Sequence, residues 1–297
     1  MYSYFLANWK VRSALSIPWL RARINADDPP DIVIETGSFP DPETTPLIRT
    51  VMVTVYSECS IVELPGLVRF RVEKGRSILM DIAPGINPAE VHPFLLGTGL
   101  ALLCYQRKLV PFRGCAVCNE KRSIAVLGPS GVGKSAVAAA FLQRGYRLIA
   151  DEIVILDPAT GNVLPTYPAV KLWRDSAEVL GISSEVLVRT RPALEKYYLD
   201  VNDFVPDSPP PVQAVFLLNA KRSAANPNIS RLFGKAVLPR LLSNRCFPKL
   251  DQEPNTAGRN FMACTRLARQ PVYDAVRTHG FGKLNELMDL LEGAGEK

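Results

Sequence analysis

A short loop at residues 128–135, GPSGVGKS, carries the residue types that proteins use to hold the phosphates of a nucleotide. It fits the pattern G-x-x-x-x-G-K-[ST] without a mismatch. Glycines in this pattern let backbone N–H groups turn towards phosphate oxygens, and the helix that follows directs its positive end at the same anions. The predicted nucleotide-binding residues are Gly128, Ser130, Gly131, Val132, Gly133, Lys134, Ser135 and Ala136.

Two side chains of this loop have separate predicted tasks. Lys134 places a positive charge between the β- and γ-phosphates, and the Ser135 hydroxyl is a ligand for Mg²⁺. We therefore expect a site for a nucleoside triphosphate and Mg²⁺ at the end of the strand that precedes the loop.

An acidic pair, Asp151 and Glu152, follows the strand-like run YRLIA, one helix after the loop. A strand in this position would deliver both carboxylates to the carboxyl edge of the sheet, beside the phosphates. There, one carboxylate can bind Mg²⁺ while the other accepts the proton of an attacking hydroxyl. Asp151, Glu152 and Ser135 are the candidate metal ligands, and the residues alone leave open which carboxylate accepts the proton. The alternative is that the pair simply ends a strand in solvent.

The elements that must position these residues can be read from the hydrophobic pattern. The runs FRGCAVC and SIAVLG flank NEKR, which predicts two strands joined by a hairpin turn. A helix is predicted over 135–144, with Gly145 at its carboxyl cap, and YRLIADEIVILD continues as a strand. Strand, loop, helix and strand in this order predict an α/β domain that holds its nucleotide at the carboxyl end of the sheet.

Residues 1–90 show a different pattern, in which short β-branched runs alternate with turns rich in Pro, Gly and Asp. The segment contains no recognisable catalytic constellation, and we predict a small β-rich domain. Around Asn87 the spacing of apolar residues becomes helical, in NPAEVHPFLLGTGLALLCYQRK. We therefore divide the chain into a β-rich domain at 1–90 and a nucleotide-binding domain at 91–297.

Composition narrows the range of partners. The net charge of +6 favours an anionic partner, but the basic residues are scattered and form no dense run with interleaved aromatics, so nucleic acid is not expected. The longest apolar stretch, FLLGTGLALLCY, is too short to span a bilayer, and the amino terminus lacks the build of a signal peptide. We expect a cytoplasmic protein without a membrane segment.

Six cysteines and two histidines offer little for a metal site or a disulfide framework. Cys115 and Cys118 form a Cys-x-x-Cys, but no second pair follows at zinc spacing, and His92 and His279 are far apart. Because the pair lies in the strand-like run GCAVC, we expect both thiols to be buried as small apolar side chains.

Other P-loop classes fit the sequence less well. A GTPase would carry an Asn-Lys-x-Asp motif, whereas FLLNAKRS has Asn219 and Lys221 separated by Ala220 and lacks the aspartate. A transport ATPase would place its acidic pair much further from the loop and would show an additional signature motif. The short spacing in this chain indicates a compact kinase core.

The segment GPSGVGKS…FLQRGYRLIADE resembles the catalytic domain of the HPr kinase/phosphorylase family. The run LLGTGLALLCYQRKLVPFRGCAV is similar to the start of that domain. YPAVKLWRDSAEVLG and LEKYYLDVNDFVPDSPPPVQAVFLL are similar to later segments of the branch that accompanies lasso-peptide gene clusters. The resemblance, which runs from about Pro88 to the end, implies a phosphoenolpyruvate-carboxykinase-like P-loop fold. It also implies ATP- and Mg²⁺-dependent phosphorylation of a serine on a peptide or protein.

The resemblance implies roles for individual residues. Asp151 takes the place of the carboxylate that activates the acceptor serine, and Glu152 replaces an aspartate near the metal. Arg113 stands where the family has a histidine close to the phosphates. It is either a catalytic residue that, with Lys134, stabilises the γ-phosphate charge, or a surface arginine. The glycine-rich segment linked to phosphorylase activity has no convincing counterpart, so a kinase without the reverse reaction is expected.

The predicted acceptor is a lasso-peptide precursor first and an HPr-like carrier protein second. Lys171, Arg174 and Arg245 are candidate contacts for an acidic acceptor, with ordinary surface cations as the alternative. Relatives assemble, so a homo-oligomer is compatible with the resemblance, although the sequence shows no interface motif. Two other functions stay open: a nucleotide-binding protein that recruits a peptide without phosphorylating it, and a plain ATPase.

Overall fold

The computed structural model describes residues 1–23, 28–201, 209–252 and 254–294, apart from the side chains of 251–252 and 254–255. The chain has a mixed α/β fold with several sheets. It separates into two compact units, Met1–Leu109 and Val110–Lys297.

Short strands make up most of the first unit. They are β1 (Tyr2–Leu6), β2 (Trp9–Ser13), β3 (Arg21–Ala22), β4 (Ile32–Thr36), β5 (Ile48–Arg49), β6 (Val53–Val55), β7 (Cys59–Leu64), β8 (Val68–Glu73) and β9 (Ser77–Ile82). In the described residues they form one sheet in the order β3-β1-β2-β4-β9-β8-β7-β6-β5. Strand β4 pairs in parallel with β2 and β9, and the remaining pairs are antiparallel. Val68, Phe70 and Val72 of β8 are buried in alternation, as a half-buried strand requires.

A continuous helical segment closes the first unit. It follows a 3₁₀ turn at Pro88–Val91 and consists of α1 (His92–Phe94), a π-helical stretch at Leu95–Gly99 and α2 (Leu100–Gln106). The Gln106 amide donates to the Val72 carbonyl (3.0 Å) and accepts from the Gly75 N–H (2.8 Å), which fixes the segment beside β8. Apolar spacing predicted the helix but not the sheet against which it packs. The division therefore falls after residue 109, whereas the sequence placed it at residue 90.

His92 gives the first unit a predicted dependence on pH. Its side chain is 3% exposed, and burial lowers its pKa to about 4, although a hydrogen bond to the Ser16 backbone opposes the shift. The unfolded chain binds this proton near pH 6.5, so the contribution to stability is complete above that pH and is lost as the pH falls towards 4. Urea titrations should show a loss of roughly 3 kcal/mol in the free energy of unfolding across this window.

The variant His92→Gln should be free of this dependence, because glutamine does not titrate. His279→Gln, at an exposed position, should retain it. The same pH dependence in His92→Gln and in the unchanged protein would contradict the assignment.

The second unit contains a main sheet and a small sheet. Its strands are β10 (Val110–Cys118), β11 (Ser123–Leu127), β12 (Arg147–Ala150), β13 (Ile153–Leu156), β14 (Val163–Leu164), β15 (Ala169–Trp173), β16 (Leu187–Arg189), β17 (Lys196–Asp200), β18 (Val212–Lys221), β19 (Asn228–Arg231) and β20 (Val272–Thr278). The main sheet has the order β14-β13-β10-β11-β18-β20-β19, with β12 also paired to β10, and the small sheet has the order β15-β17-β16. Strands β11, β18 and β20 are parallel. The hairpin predicted at NEKR joins β10 to β11.

Helices cover both faces of the main sheet. They are α3 (Lys134–Gln143), α4 (Arg174–Val179), α5 (Val237–Ser243), α6 (Pro254–Leu267) and α7 (Leu284–Ala294), with 3₁₀ turns at Ser184–Val186, Gly234–Ala236 and Pro248–Gln252. Val126 of β11 packs with Phe141 of α3 and with α7, whereas its neighbour Leu127 packs with α5 and α6. Helix α3 lies at the predicted position, and Gly145 adopts a φ of +83° at its end. Among the described helices, none combines the length and the apolar character needed to cross a membrane.

Candidate functional site

The loop at residues 128–133 connects the end of β11 to the start of α3, as the motif requires. Gly131 and Gly133 have φ of +80° and +97°, a region that favours glycine. At Gly128 a side chain is excluded, because a Cβ would lie 2.5 Å from the carbonyl oxygen of Leu218. Within the described chain, the backbone N–H groups of residues 130–133 donate to no other protein group. They are therefore free to receive an anion, and the loop fits a phosphate.

The other predicted nucleotide-binding residues differ in whether their side chains or only their backbone groups can reach a nucleotide. Ser130 is exposed, whereas the side chains of Val132 and Ala136 are buried, so these two residues can present only backbone groups to a nucleotide. Ser135 is half-buried and donates its hydroxyl to Asp151.

Two cations lie beside the loop. The Lys134 ammonium donates to the carbonyl of Pro129 (2.7 Å). Burial lowers the pKa of Lys134, and the charge of Arg113 lowers it further, while Asp151 opposes the shift. The exposed Arg113 side chain donates to the thiol of Cys246. An anion between Lys134 and Arg113 would relieve the repulsion between these cations, so the electrostatics of this position also fit a phosphate.

Asp151 and Glu152 lie at a sharp bend inside a strand. Strand β12 ends one residue before the pair, β13 begins one residue after it, and both pair antiparallel with β10. Glu152 has a φ of +68°, and the Ile153 N–H donates to the Asp151 carbonyl (2.9 Å), which makes a γ-turn centred on Glu152. We call residues 151–153 the acid turn. The single strand predicted over YRLIADEIVILD is therefore interrupted at the pair: YRLIA ends directly before it, and the run IVIL pairs with β10 as a separate strand.

Asp151 joins the acid turn to the phosphate loop. Its side chain is fully buried, with an exposure of 0%. Its Oδ1 accepts from the Ser135 hydroxyl (3.0 Å), and its Oδ2 accepts from the backbone N–H of Lys171 in β15 (3.0 Å). Burial raises the pKa of Asp151, although the hydrogen bond from the Lys171 N–H and the Lys171 charge oppose the rise. The fold thus brings together two of the residues that the sequence assigned to one site.

Glu152 has a lysine partner. One of its carboxylate oxygens pairs with the ammonium of Lys171 and also accepts from the Tyr167 hydroxyl (3.4 Å). Lys171 is 3% exposed, and burial lowers its pKa to about 7, with the nearby charge of Lys196 acting in the same direction. The positive charge next to Glu152 is therefore the Lys171 ammonium, a group of the protein itself.

Strand β10 sets the distance between the phosphate loop and the acid turn. Gly114 pairs with Leu127 on one side, and on the other side its N–H donates to the Glu152 carbonyl (3.2 Å). A Cβ at Gly114 would lie 2.6 Å from the Leu127 side chain and 2.8 Å from the Val126 carbonyl oxygen. Glycine is therefore required at this position by the close packing of three strands.

Replacing Gly114 by alanine should separate these strands. We expect Gly114→Ala to lower the free energy of unfolding by about 1–3 kcal/mol, the usual cost of a methyl group without space, as measured by thermal denaturation. Gly258→Ala is the matched control, since a Cβ there meets no atom within 4 Å on the exposed side of α6. That control should be neutral or slightly stabilising. Equal stabilities of the two variants would contradict the packing argument.

The sequence analysis did not identify Arg277, which supports the phosphate loop. The Arg277 Nε donates to the Val132 carbonyl (2.6 Å), and its Nη1 donates to the Gly280 carbonyl (2.8 Å). A Cβ at Gly133 would lie 3.1 Å from this guanidinium. Arg277 lies near the carboxyl end of β20, a strand parallel to β11, and this position could have placed it near the phosphate loop. The sequence does not reveal that position, because these strands are far apart along the chain.

The three cations predicted as candidate contacts for the acceptor differ in their exposure to solvent. Lys171 is buried against Glu152, and Arg245 is 2% exposed and donates from Nε to the Leu242 carbonyl (2.9 Å). Neither side chain reaches the surface, so neither is an ordinary surface cation, and contact with an acceptor stays a prediction. Arg174 is exposed, but it forms an ion pair with Glu195 (2.5 Å).

The donors beside the phosphate loop fit Mg²⁺. Within the described residues, no group of three or more His, Cys, Asp or Glu side chains could enclose a metal ion. Mg²⁺ is commonly held by one or two carboxylates together with substrate phosphates. The Ser135 hydroxyl and the Asp151 carboxylate offer that kind of donor set. The six cysteines are buried free thiols, as the sequence predicted for Cys115 and Cys118.

Comparison with known proteins adds a distant structural likeness. No protein-family model matches the chain, and no curated protein matches it significantly. Among solved structures, the Hpr(Ser) kinase/phosphatase from Coxiella burnetii covers 63% of this chain and 90% of its own, with 12% sequence identity and a TM-score of 0.33. A likeness of this extent carries no assignment of activity, which must come from the site itself.

Proposed function

We propose that this protein is an ATP- and Mg²⁺-dependent kinase that phosphorylates a serine hydroxyl on a peptide or protein. The observation that carries the proposal is the 3.0 Å hydrogen bond between Ser135 and Asp151, which joins a phosphate-binding loop to a buried carboxylate. In phosphoryl transfer, catalysis consists largely of holding the triphosphate, the metal and the acceptor in position. A lasso-peptide precursor is the first candidate acceptor, and an HPr-like carrier protein is the second.

The nucleotide is held by the backbone of residues 130–136 and by two cations. Lys134 exchanges its contact with Pro129 for phosphate oxygens, and Arg113 complements the charge of the γ-phosphate. Mg²⁺, when bound by Ser135 and Asp151, supplies positive charge to the phosphate oxygens. Glu152 forms an ion pair with Lys171. We therefore assign Glu152 mainly to positioning this lysine and only secondarily to binding the metal.

In the transfer step, the serine oxygen forms a bond to the γ-phosphorus as the bond between that phosphorus and the β,γ-bridging oxygen breaks. ADP leaves with the bridging oxygen, and the serine proton passes to Asp151. Burial raises the pKa of Asp151 and so makes it a better proton acceptor. Each of its oxygens accepts one hydrogen bond in the described structure, which leaves acceptor capacity on both.

A second candidate function is a nucleotide-dependent binding protein without transferase activity. It is favoured by the complete burial of Asp151 and by the ion pair that occupies Glu152. In that case ATP would bind at the same loop, and the peptide would be recruited without being modified.

Incubation with Mg-ATP separates these functions. The purified protein would be mixed with a lasso-peptide precursor or HPr, and the products would be analysed by mass spectrometry. A kinase adds one phosphoryl group to a serine, and the addition disappears with EDTA or when that serine is replaced by alanine. Bound nucleotide without any phosphorylated product would support the binding protein, and phosphate release that ignores the peptide would support a plain ATPase.

A further inference from the structure

One face of the small sheet lies beside the acid turn. Lys171 pairs with Tyr198, Tyr198 pairs with Val188, and Trp173 pairs with Lys196. Directly paired residues, and residues two apart in one strand, have side chains on the same face of a sheet. We call these five residues the β15–β17 face. Its opposite side is apolar and packs on α3 through Val170 and Leu172.

The inner end of the β15–β17 face reaches the site. The backbone N–H of Lys171 donates to Oδ2 of Asp151, whereas Ser135 of the phosphate loop donates to Oδ1. The two oxygens of one carboxylate thus contact the phosphate loop and the small sheet separately. The Lys171 ammonium, which pairs with Glu152, lies 5.9 Å from the centroid of the Tyr198 ring, so this ring is close to the acid turn. Burial raises the pKa of Tyr198 and lowers that of Lys196, and the charge of Asp151 adds to the first shift and opposes the second.

The outer end of this face is open and carries the cation Lys196. Trp173 is 45% exposed and Val188 is 54% exposed. The Lys196 ammonium lies 5.5 Å from the centroid of the Trp173 ring. Lys196 is half-buried, and burial lowers its pKa, yet in the described part of the chain no carboxylate forms an ion pair with it. Lys171, in contrast, has Glu152.

We propose that the β15–β17 face binds the acceptor polypeptide and that Lys196 pairs with a carboxylate close to the serine that is phosphorylated. This inference rests on the proposed kinase function. The charge of Lys196 selects an acidic residue, and the exposed surfaces of Trp173 and Val188 receive apolar parts of the same segment. The donor is held on the Oδ1 side of Asp151 and the acceptor on the Oδ2 side, as transfer between two substrates requires.

The spacing of the face limits the position of the acidic residue. Trp173 lies two residues beyond Lys171 in β15, roughly 7 Å along the strand. An extended peptide covers this distance in about two residues. The carboxylate that pairs with Lys196 is therefore expected within about two residues of the serine.

Matched peptides test the inference. Labelled serine peptides would carry Asp two residues before or two residues after the serine, and their controls would carry Asn at that position. Fluorescence anisotropy with a non-hydrolysable ATP analogue and Mg²⁺ should show binding of one Asp peptide about tenfold tighter than of its Asn control. The preference should vanish in Lys196→Gln and persist in Lys196→Arg. It should also persist in Lys121→Gln, a change in the exposed β10–β11 turn.

Each other outcome has a defined meaning. Equal binding of the Asp and Asn peptides to the unchanged protein, or a preference that survives in Lys196→Gln, overturns the inference. A loss of affinity for the ATP analogue in Lys196→Gln or Trp173→Ala, without a change in peptide preference, also overturns it and assigns the face to the nucleotide. If the charge preference is present but Mg-ATP yields no phosphopeptide, the inference stands and the kinase function fails. If Mg-ATP yields a phosphopeptide but the Asp and Asn peptides bind equally well, the kinase function stands and the inference fails.

Discussion

Asp151→Asn is expected to reduce the rate of serine phosphorylation by roughly 10²–10⁴-fold, the usual contribution of a positioned proton acceptor. The amide cannot take the proton, and it offers its oxygen to only one of the two donors that Asp151 now satisfies. The Ser135 hydroxyl and the Lys171 N–H thus lose their common partner. The measurement is the initial rate of phosphopeptide formation, followed by mass spectrometry at saturating Mg-ATP.

The fold should tolerate this substitution. Burial raises the pKa of Asp151, which means that the folded state disfavours its charge, so removal of that charge offsets part of the lost hydrogen bonding. Binding of an ATP analogue should persist, because the phosphate loop itself is unchanged.

Asp157→Asn is the matched control for Asp151→Asn. The Asp157 carboxylate accepts from the Ala159 N–H (2.8 Å) and the Thr160 hydroxyl (2.9 Å) within a surface turn, so phosphorylation should continue at the normal rate. If Asp151→Asn phosphorylates serine as fast as this control does, Asp151 is not the proton acceptor.

The sequence predicted those parts of the site that are local along the chain. The glycine loop, the helix after it and the hairpin before it follow from turn chemistry and apolar spacing, and the structure has all three. The proximity of Asp151 to Ser135 could also be anticipated, because strands near the loop end at the same edge of the sheet. The γ-turn at Glu152 could not, since a run of apolar residues on both sides reads as one uninterrupted strand.

The contacts that the sequence analysis missed join distant segments. Lys171 and Lys196 come together only because β15 pairs with β17, and Arg277 reaches the phosphate loop only because β20 lies beside β18. A lysine in β15 has no local feature that distinguishes a surface cation from one buried against a glutamate. The same reason explains Arg245, which the sequence presented as a basic residue in a polar stretch and the fold buries.

Lys134→Gln is expected to weaken the binding of ATP by about 10- to 100-fold, the range for losing a charge-assisted contact to phosphate. The protein without nucleotide should remain as stable as before, or become slightly more stable. Burial lowers the pKa of Lys134, so the folded state disfavours its positive charge, and glutamine removes that charge. The measurement is the midpoint of thermal unfolding with and without Mg-ATP, because a ligand that binds the folded state raises the midpoint according to its affinity.

The matched control for Lys134→Gln is Lys121→Gln, which removes the same charge from the hairpin turn at the opposite end of β11. Both variants lower the net charge of the chain equally, so a general electrostatic attraction of ATP would weaken equally in both. A specific contact predicts that the upward shift caused by Mg-ATP becomes smaller in Lys134→Gln alone. If the shift is the same in the two variants, the nucleotide is not held at residues 128–135, and the assignment of Ser135, Asp151 and Arg113 to one phosphoryl-transfer site fails with it.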